Sequence, residues 1–240
     1  MIKRLFIFAV LILMGMVFLK LGMNYSENGT LLKLGHYYVD KGPAELGAAN
    51  IVTSVVVTYR GLDTLGEVTV LFISAAGVGL MLRRSRKKDD DEENGDAAMH
   101  RHKPSSEIVE TATELLLPMV ILFGIYVFLN GHLSPGGGFQ GGAIIASGTM
   151  FLLLALPESH ISRVMISFTE SLSGFGYVIV GVLGVTMAGG FLDNRIMGLG
   201  EYGSLFSAGA IPLIYTFVGL KVGFELSAVL DRFREDSESS

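Results

Sequence analysis

The sequence contains no cysteine, so the chain can neither form a disulfide nor ligate an iron–sulfur cluster through thiolates. Tryptophan is missing too, which leaves tyrosine and phenylalanine to anchor the chain at a membrane–water boundary. Charge is scarce: 17% of the 240 residues are Asp, Glu, Lys or Arg against 50% hydrophobic, and the mean hydropathy is +0.52. A soluble domain rarely averages so apolar, and here the apolar residues come in blocks rather than at strand or surface-helix spacing. A membrane protein is the class that fits. The net charge of −5 arises partly from acidic stretches in a linker and tail and says little about partners. No nucleic-acid partner is implied.

A helix needs roughly 20 residues to cross the hydrocarbon core. Six stretches supply that length: about 4–23, 63–82, 112–130, 140–157, 171–192 and 204–222. The expected fold is an all-α integral membrane protein of six transmembrane helices. Lys3 and Arg4 ahead of an apolar core also suit a signal peptide, but no A-x-A-like site follows and Lys20 interrupts the exit, so the stretch is read as a span. Basic residues collect on one side: Lys3, Arg4, Arg83, Arg84, Arg86, Lys87, Lys88, Arg101, Lys103, Arg163, Arg232 and Arg234. The other side receives Lys33, Lys41, Arg60 and Arg195. That asymmetry places both termini in the cytoplasm.

One long polar interruption begins "RRSRKKDDDEENGDAAMHRHKP". A basic run followed by an acidic run reads as a flexible, solvated cytoplasmic linker. It spans 83–106 and divides a two-span module, 1–82, from a four-span domain, 107–232, which ends in a polar tail, 233–240. His100 and His102 are metal-ligand types, but a pair in such a tract reads as solvent-exposed, and no metal site is expected.

Span length forces acids below the surface. The apolar run "VTVLFISAAGVGLML" reaches full thickness only by including Glu67, with Asp63 beside it, and "LLLPMVILFGIYVFL" needs Glu114. An ionisable group there costs about 2.5–3.5 kcal/mol unless it faces protein or water. Burial also favours the uncharged acid, which suits a proton carrier. The alternative is that each acid caps a helix at headgroup level, where Glu67 suits the helix dipole. Pro118 removes the hydrogen bond to the Glu114 carbonyl, and Pro212 does the same to Ala208. Lys221 and Glu225, one turn apart, are placed to pair at the end of the last span, with Glu170 a snorkelling residue at the start of the fifth. Together with Glu114 they would form a charged layer near the cytoplasmic face. The uncharged fifth span carries Gly174, Gly176, Gly181, Gly184, Gly189 and Gly190, a pattern for close helix packing.

Between the third and fourth spans lies "GHLSPGGGFQGG", residues 131–142. The following block, "AIIASGTMFLLLAL", is too short to cross unless part of this glycine stretch lies at membrane depth, which is allowed only where protein or a water-filled cavity satisfies the backbone. We therefore expect the loop to pack against a neighbouring polypeptide through Phe139. A phosphate cradle is excluded by the lack of a following G-K-[S/T]. His132 is read as a structural hydrogen-bonding residue ahead of a proton relay.

"GHLSPGGGFQGG" resembles the signature of the B-type subunit in Mrp-type sodium/proton antiporters, the MnhB family. Residues from about 107 to 232 look like that whole four-span protein, with Gly131, His132, Pro135, Gly136, Gly137, Gly138, Phe139, Gly141 and Gly142 on its hallmark positions. The front segment "NIVTSVVVTYRGLDTLGEVTVLFISAAGV" is similar to the C-terminal tail of the large A-type subunit in the same complexes, matching at Arg60, Asp63, Thr64, Gly66 and Glu67. The resemblance implies a prokaryotic cytoplasmic-membrane protein, an accessory subunit in a multisubunit module that moves Na+ and H+, without a cofactor of its own. It implies that Glu67 belongs to an ion-translocation route; Arg60 and Asp63 beside it would tune that site electrostatically, and Glu114, Lys221 and Glu225 are further candidates from their placement in the spans. Its partners would be other Mrp-type membrane subunits. A tail detached from the large A-type subunit is more like a membrane-bound hydrogenase or related respiratory complex than a stand-alone antiporter, so redox subunits are a second class of partner. The rival reading is a scaffold that joins larger pumping subunits and conducts nothing. An enzyme such as an intramembrane protease or quinone reductase is disfavoured, because no Ser–His pair or cofactor ligands lie in the spans.

Overall fold

The computed structural model describes residues 2–23, 32–92, 106–156 and 162–239; His100 and His102 lie outside them. Among the described residues the chain is helical and has no strand. The helices are α1 (Ile2–Met23), α2 (Lys33–Leu46), the short α3 (Ile51–Thr53), α4 (Gly61–Glu92), α5 (Glu107–Leu129), α6 (Gly138–Ala155), α7 (Arg163–Leu183) and α8 (Ile211–Ser239). α3 passes directly into a π-helical stretch, Ser54–Tyr59, and α7 into another, Gly184–Ala188. Six helices are long and apolar enough to cross a membrane: Leu5–Met23, Gly61–Leu82, Glu107–Leu129, Gly138–Ala155, Arg163–Ala188 and Ile211–Arg234.

The chain divides into two units, Met1–Tyr37 and Tyr38–Ser240. Within the first, α1 is apolar all round and its described side chains are exposed from Leu5 to Met23. A helix of that kind needs lipid or other protein around it.

The second unit is built around α8, which packs against α4, α5, α6 and α7. Val57, Val68, Tyr177, Ile214, Val218 and Val222 are among its buried core. Between helices in lipid, close van der Waals contact replaces the hydrophobic drive available in water. Glycine provides that closeness here. A Cβ on Gly141 would fall 2.5 Å from the Gly124 carbonyl oxygen, and one on Gly142 would fall 2.7 Å from that of Gly219. In α7, Gly176 gives way to the Phe217 ring. Of the other glycines expected to pack this span, Gly181 and Gly184 make close approaches to residues 190–193 rather than to a helix, and Gly189 and Gly190 lie beyond its end.

The last two spans differ most from the expectation. The fifth begins at Arg163 rather than 171, and the sixth runs Ile211–Arg234 rather than 204–222. Residues 189–192 and 204–210, apolar enough to count toward the neighbouring spans, belong instead to an irregular stretch, 189–210, with positive φ at Gly200 (67°), Gly203 (85°), Ala208 (63°) and Gly209 (58°). Their backbone is satisfied by protein instead. Buried Asn194 donates through Nδ2 to the carbonyls of Leu46 and Ala208, both at 2.8 Å. With α8 starting at Ile211, Pro212 lies in the first turn, where an N–H is not needed, and is no kink. The shift moves Lys221 from a span end to ten residues, about 15 Å, beyond Ile211. That is half of a ~30 Å hydrocarbon core.

Candidate functional site

Two buried polar clusters line α8, and the sequence candidates fall in or around them. The first lies at the end of the bundle that carries residues 131–137, termed the loop side. Asn50 precedes α3 as its N-cap, with Oδ1 accepting from the backbone N–H of Val52 (3.1 Å) and Thr53 (3.4 Å). Its Nδ2 donates to the carbonyls of Gly131 (2.9 Å) and Ser134 (3.0 Å), and its own N–H to that of His132 (3.0 Å). The buried Thr53 hydroxyl donates to Gly131 at 2.6 Å and accepts from the Tyr215 hydroxyl of α8 at 2.9 Å. Little room is left: a Cβ on Gly131 would meet the Tyr215 ring at 2.6 Å, and one on Gly138 would meet Val218 at 2.6 Å. Gly137, at φ 156°, opens α6.

The glycine loop is held within its own chain, and Phe139 packs against that chain's core. The residues that hold it, Asn50 and Thr53, come from the front of the sequence.

His132 is fully buried beneath the loop, and its Nε2–H donates to the Ser204 carbonyl at 3.3 Å. Burial pushes its imidazole below the usual 6.5, against weaker opposition from the Ser204 and Leu129 carbonyls, so it stays neutral. That is the behaviour of a structural histidine. Nearby, burial disfavours the charge on Asp193, but hydrogen bonds and charge from Arg195 outweigh it and hold the carboxyl below its ordinary value.

The second cluster is charged. Lys221 Nζ donates to Glu170 Oε1 of α7 at 2.7 Å and lies 3.1 Å from Glu225 Oε2 on its own helix. Side-chain exposures are 9% for Lys221, 22% for Glu170 and 2% for Glu225. The lysine stem passes beside Gly174, and the Phe72 ring of α4 lies 4.8 Å from the ammonium, a cation–π distance. The charged layer predicted from sequence is thus a triad: Glu114 does not join it but sits exposed on α5, beside Pro118. Nor does the triad lie at a helix end: Lys221 is ten residues into α8. Glu170 is no snorkelling terminus, since α7 begins seven residues earlier.

Glu67 lies six residues, about 9 Å, into α4 from Gly61, and is exposed on the chain. Arg60 and Asp63, also exposed, pair with each other at 2.6 Å. Glu67 makes no ion pair among the described residues. Its depth was readable from the apolar run; the face it occupies was not. Asn50, Thr53, Tyr215 and Asn194 went unrecognised as clamping residues. An asparagine directly ahead of an apolar run signals a helix cap, but its second set of partners lies 81 and 84 residues away.

Comparisons with known proteins bear on both halves of the chain. A family model described as a domain related to the MnhB subunit of Na+/H+ antiporter matches residues 108–228, and the model of MbhE, the E-type subunit of MBH, matches residues 2–98. An uncharacterized protein of Methanocaldococcus jannaschii is 29% identical over 218 residues, covering 80% of this chain and 81% of that one. The B-type subunit of the Na(+)/H(+) antiporter of Bacillus subtilis is 33% identical over 113 residues, or 43% of this chain and 79% of the relative. Among solved structures, a chain of the membrane-bound sulfane sulfur reductase, an archaeal respiratory membrane complex, superposes with a TM-score of 0.78 at 38% identity, covering 97% of this chain and 98% of its own. A chain of the Mrp complex from a Dietzia species gives a TM-score of 0.75 at 26% identity, covering 96% of this chain and 26% of the other.

Proposed function

The chain belongs to the family of domains related to the MnhB subunit of Na+/H+ antiporters, and from that membership we propose that it lines part of a proton/sodium translocation route. It is a multi-pass prokaryotic membrane protein and an accessory subunit of Mrp-type antiporters and related respiratory membrane complexes, with other Mrp-type membrane subunits as its partners. On this reading it performs no redox or hydrolytic chemistry itself and lies with both termini in the cytoplasm. Residues 1–82 act as a two-span module joined by the 83–106 linker to the four-span domain 107–232.

The observation that carries the reading is the placement of Glu67. A carboxylate about 9 Å down α4 and exposed on the chain faces either lipid, at about 2.5–3.5 kcal/mol, or the polar surface of a neighbouring subunit. The second arrangement makes an ion route at a boundary between subunits, with this chain as one wall. Asp63, about one turn away, and Arg60, about two, set the local field, and Glu114 marks a second such place on α5. In the assembled complex Glu67→Gln should abolish sodium efflux and leave co-purification of the other subunits unchanged. Normal efflux from that variant would remove the assignment.

A scaffold role is favoured by a different observation, the tight glycine contacts of α6 with α5 and α8. If joining larger subunits were the whole function, alanine at Glu67 or Glu114 would leave transport intact, while bulk at Gly137 or Gly141 would dismantle the complex.

A further inference from the structure

Glu170, Lys221 and Glu225 bring two acids and one base to the middle of a membrane-spanning bundle. If all three were ionised, one negative charge would remain, and no other described group answers it. On the α4 side the lysine is closed off by Phe72, and on the α6 side Ser227 bonds to Thr149 at 2.9 Å. Arg232, about 16 Å further along α8, donates to the Ala75 carbonyl at 3.3 Å. Asp231 pairs with Arg234 at 3.3 Å. An uncompensated charge at such a site is strongly unfavourable.

The geometry separates the two acids. Glu170 accepts a well-formed 2.7 Å hydrogen bond from the ammonium, as an ionised partner should. Glu225 is far more enclosed, yet neither carboxyl oxygen has a hydrogen-bonding partner; its 3.1 Å approach to Lys221 Nζ lacks the alignment. That environment suits an uncharged acid.

We propose that Glu170, Lys221 and Glu225 form a proton-exchanging triad, in which Glu225 holds the transferable proton and Glu170 passes it to and from the surface of the chain. In one state Glu225 is protonated and the ammonium pairs with the Glu170 carboxylate. In the other the proton has left Glu225 and is on Glu170, and the ammonium pairs with the Glu225 carboxylate. Lys221 keeps its three protons throughout, one proton changes place, and the triad is neutral in both states. A sodium ion fits less well, because it would need several oxygen ligands and would compete with the ammonium for the same two carboxylates.

The use of this exchange for transport rests on the proposed translocation role, but the protonation of Glu225 is readable without transport. Infrared difference spectra of the assembled wild-type complex should contain a protonated-carboxyl stretch that is missing in E225Q. It should also be missing in E170Q, because a neutral partner at 170 frees the ammonium to ionise Glu225; a packing role for Glu170 would not produce that loss. Proton-coupled transport in liposomes should fall at least tenfold in either variant, while E67Q keeps the band. A band that persists in E225Q or E170Q overturns the proposal, as does normal transport in E225Q. Loss of the wild-type band on adding sodium at fixed pH overturns it in favour of a sodium site. Should E225Q fail to assemble, the E170Q spectrum decides alone. Normal transport in E67Q beside the expected band losses would sink the Glu67 assignment and leave the triad standing.

Discussion

The loop-side clasp and the mid-span triad both lean on α8, with Tyr215 and Lys221 six residues, about 9 Å, apart along its axis. In the clasp the groups are neutral and, apart from the buried His132 Nδ1, matched. Asn50 engages its amide oxygen and nitrogen, and the Tyr215–Thr53–Gly131 chain runs donor to acceptor without a gap. In the triad the groups are charged and mismatched: two acids share one cation, and Glu225 is left without a hydrogen bond. A matched neutral network holds one conformation. A mismatched charged one retains a choice of proton position, so the first cluster reads as architecture and the second as chemistry.

Substitutions can break or sharpen that division. The largest effect belongs to neither cluster but to the glycine seam beneath the clasp. Gly141→Leu would drive a side chain into the Gly124 backbone, and no intact complex should be recovered after detergent extraction. Next comes Lys221→Met, which strands a buried carboxylate and should lower the stability of the purified complex by about 3 kcal/mol in thermal unfolding. A loss well under 1 kcal/mol would place the triad with the clasp, as a site indifferent to its charges.

Asn50→Ala should cost about 2 kcal/mol, since it leaves the Gly131 and Ser134 carbonyls short of a donor. Transport per folded complex should stay normal; a transport defect without a stability defect would dissolve the comparison from the other side. The smallest effect is His132→Gln. Because burial lowers the folded-state value of His132 below 6.5, the unfolded chain takes up a proton first as pH falls. The histidine's contribution is therefore present above 6.5 and lost below it. The variant should flatten the decline in thermal stability on the acid side of that value, by at most about 1.4 kcal/mol per pH unit.

Six spans were legible because length and hydropathy alone decide whether a helix can cross. The last two slipped in register because 189–192 and 204–210 are apolar enough to extend the neighbouring spans, while the backbone turns left-handed at Gly189, Leu192, Ala208 and Gly209. Composition does not distinguish a helix from irregular backbone whose carbonyls a distant side chain satisfies, and Asn194 does that work for Leu46 across 148 residues. The slip also displaced the triad, since a lysine at a span end and one at mid-span look alike in sequence. The Lys221–Glu225 pair was visible from its spacing. Glu170 was expected beside it in a charged layer, but at a helix start; with α7 beginning at Arg163 it lies seven residues inside the helix. For Glu67 and Glu114 depth could be read, but the direction each faces depends on which neighbours cover α4 and α5.

The Phe72 ring that covers Lys221 comes from α4, on the other side of the 83–106 linker from the lysine it shields. Covalent joining holds the two at an effective concentration in the millimolar range, whatever the copy number of the chain in the bilayer. Each central helix is therefore made together with its own aromatic cover, in a fixed ratio of one to one. Were α4 supplied as a separate polypeptide, any shortfall in its synthesis would leave some lysines facing lipid.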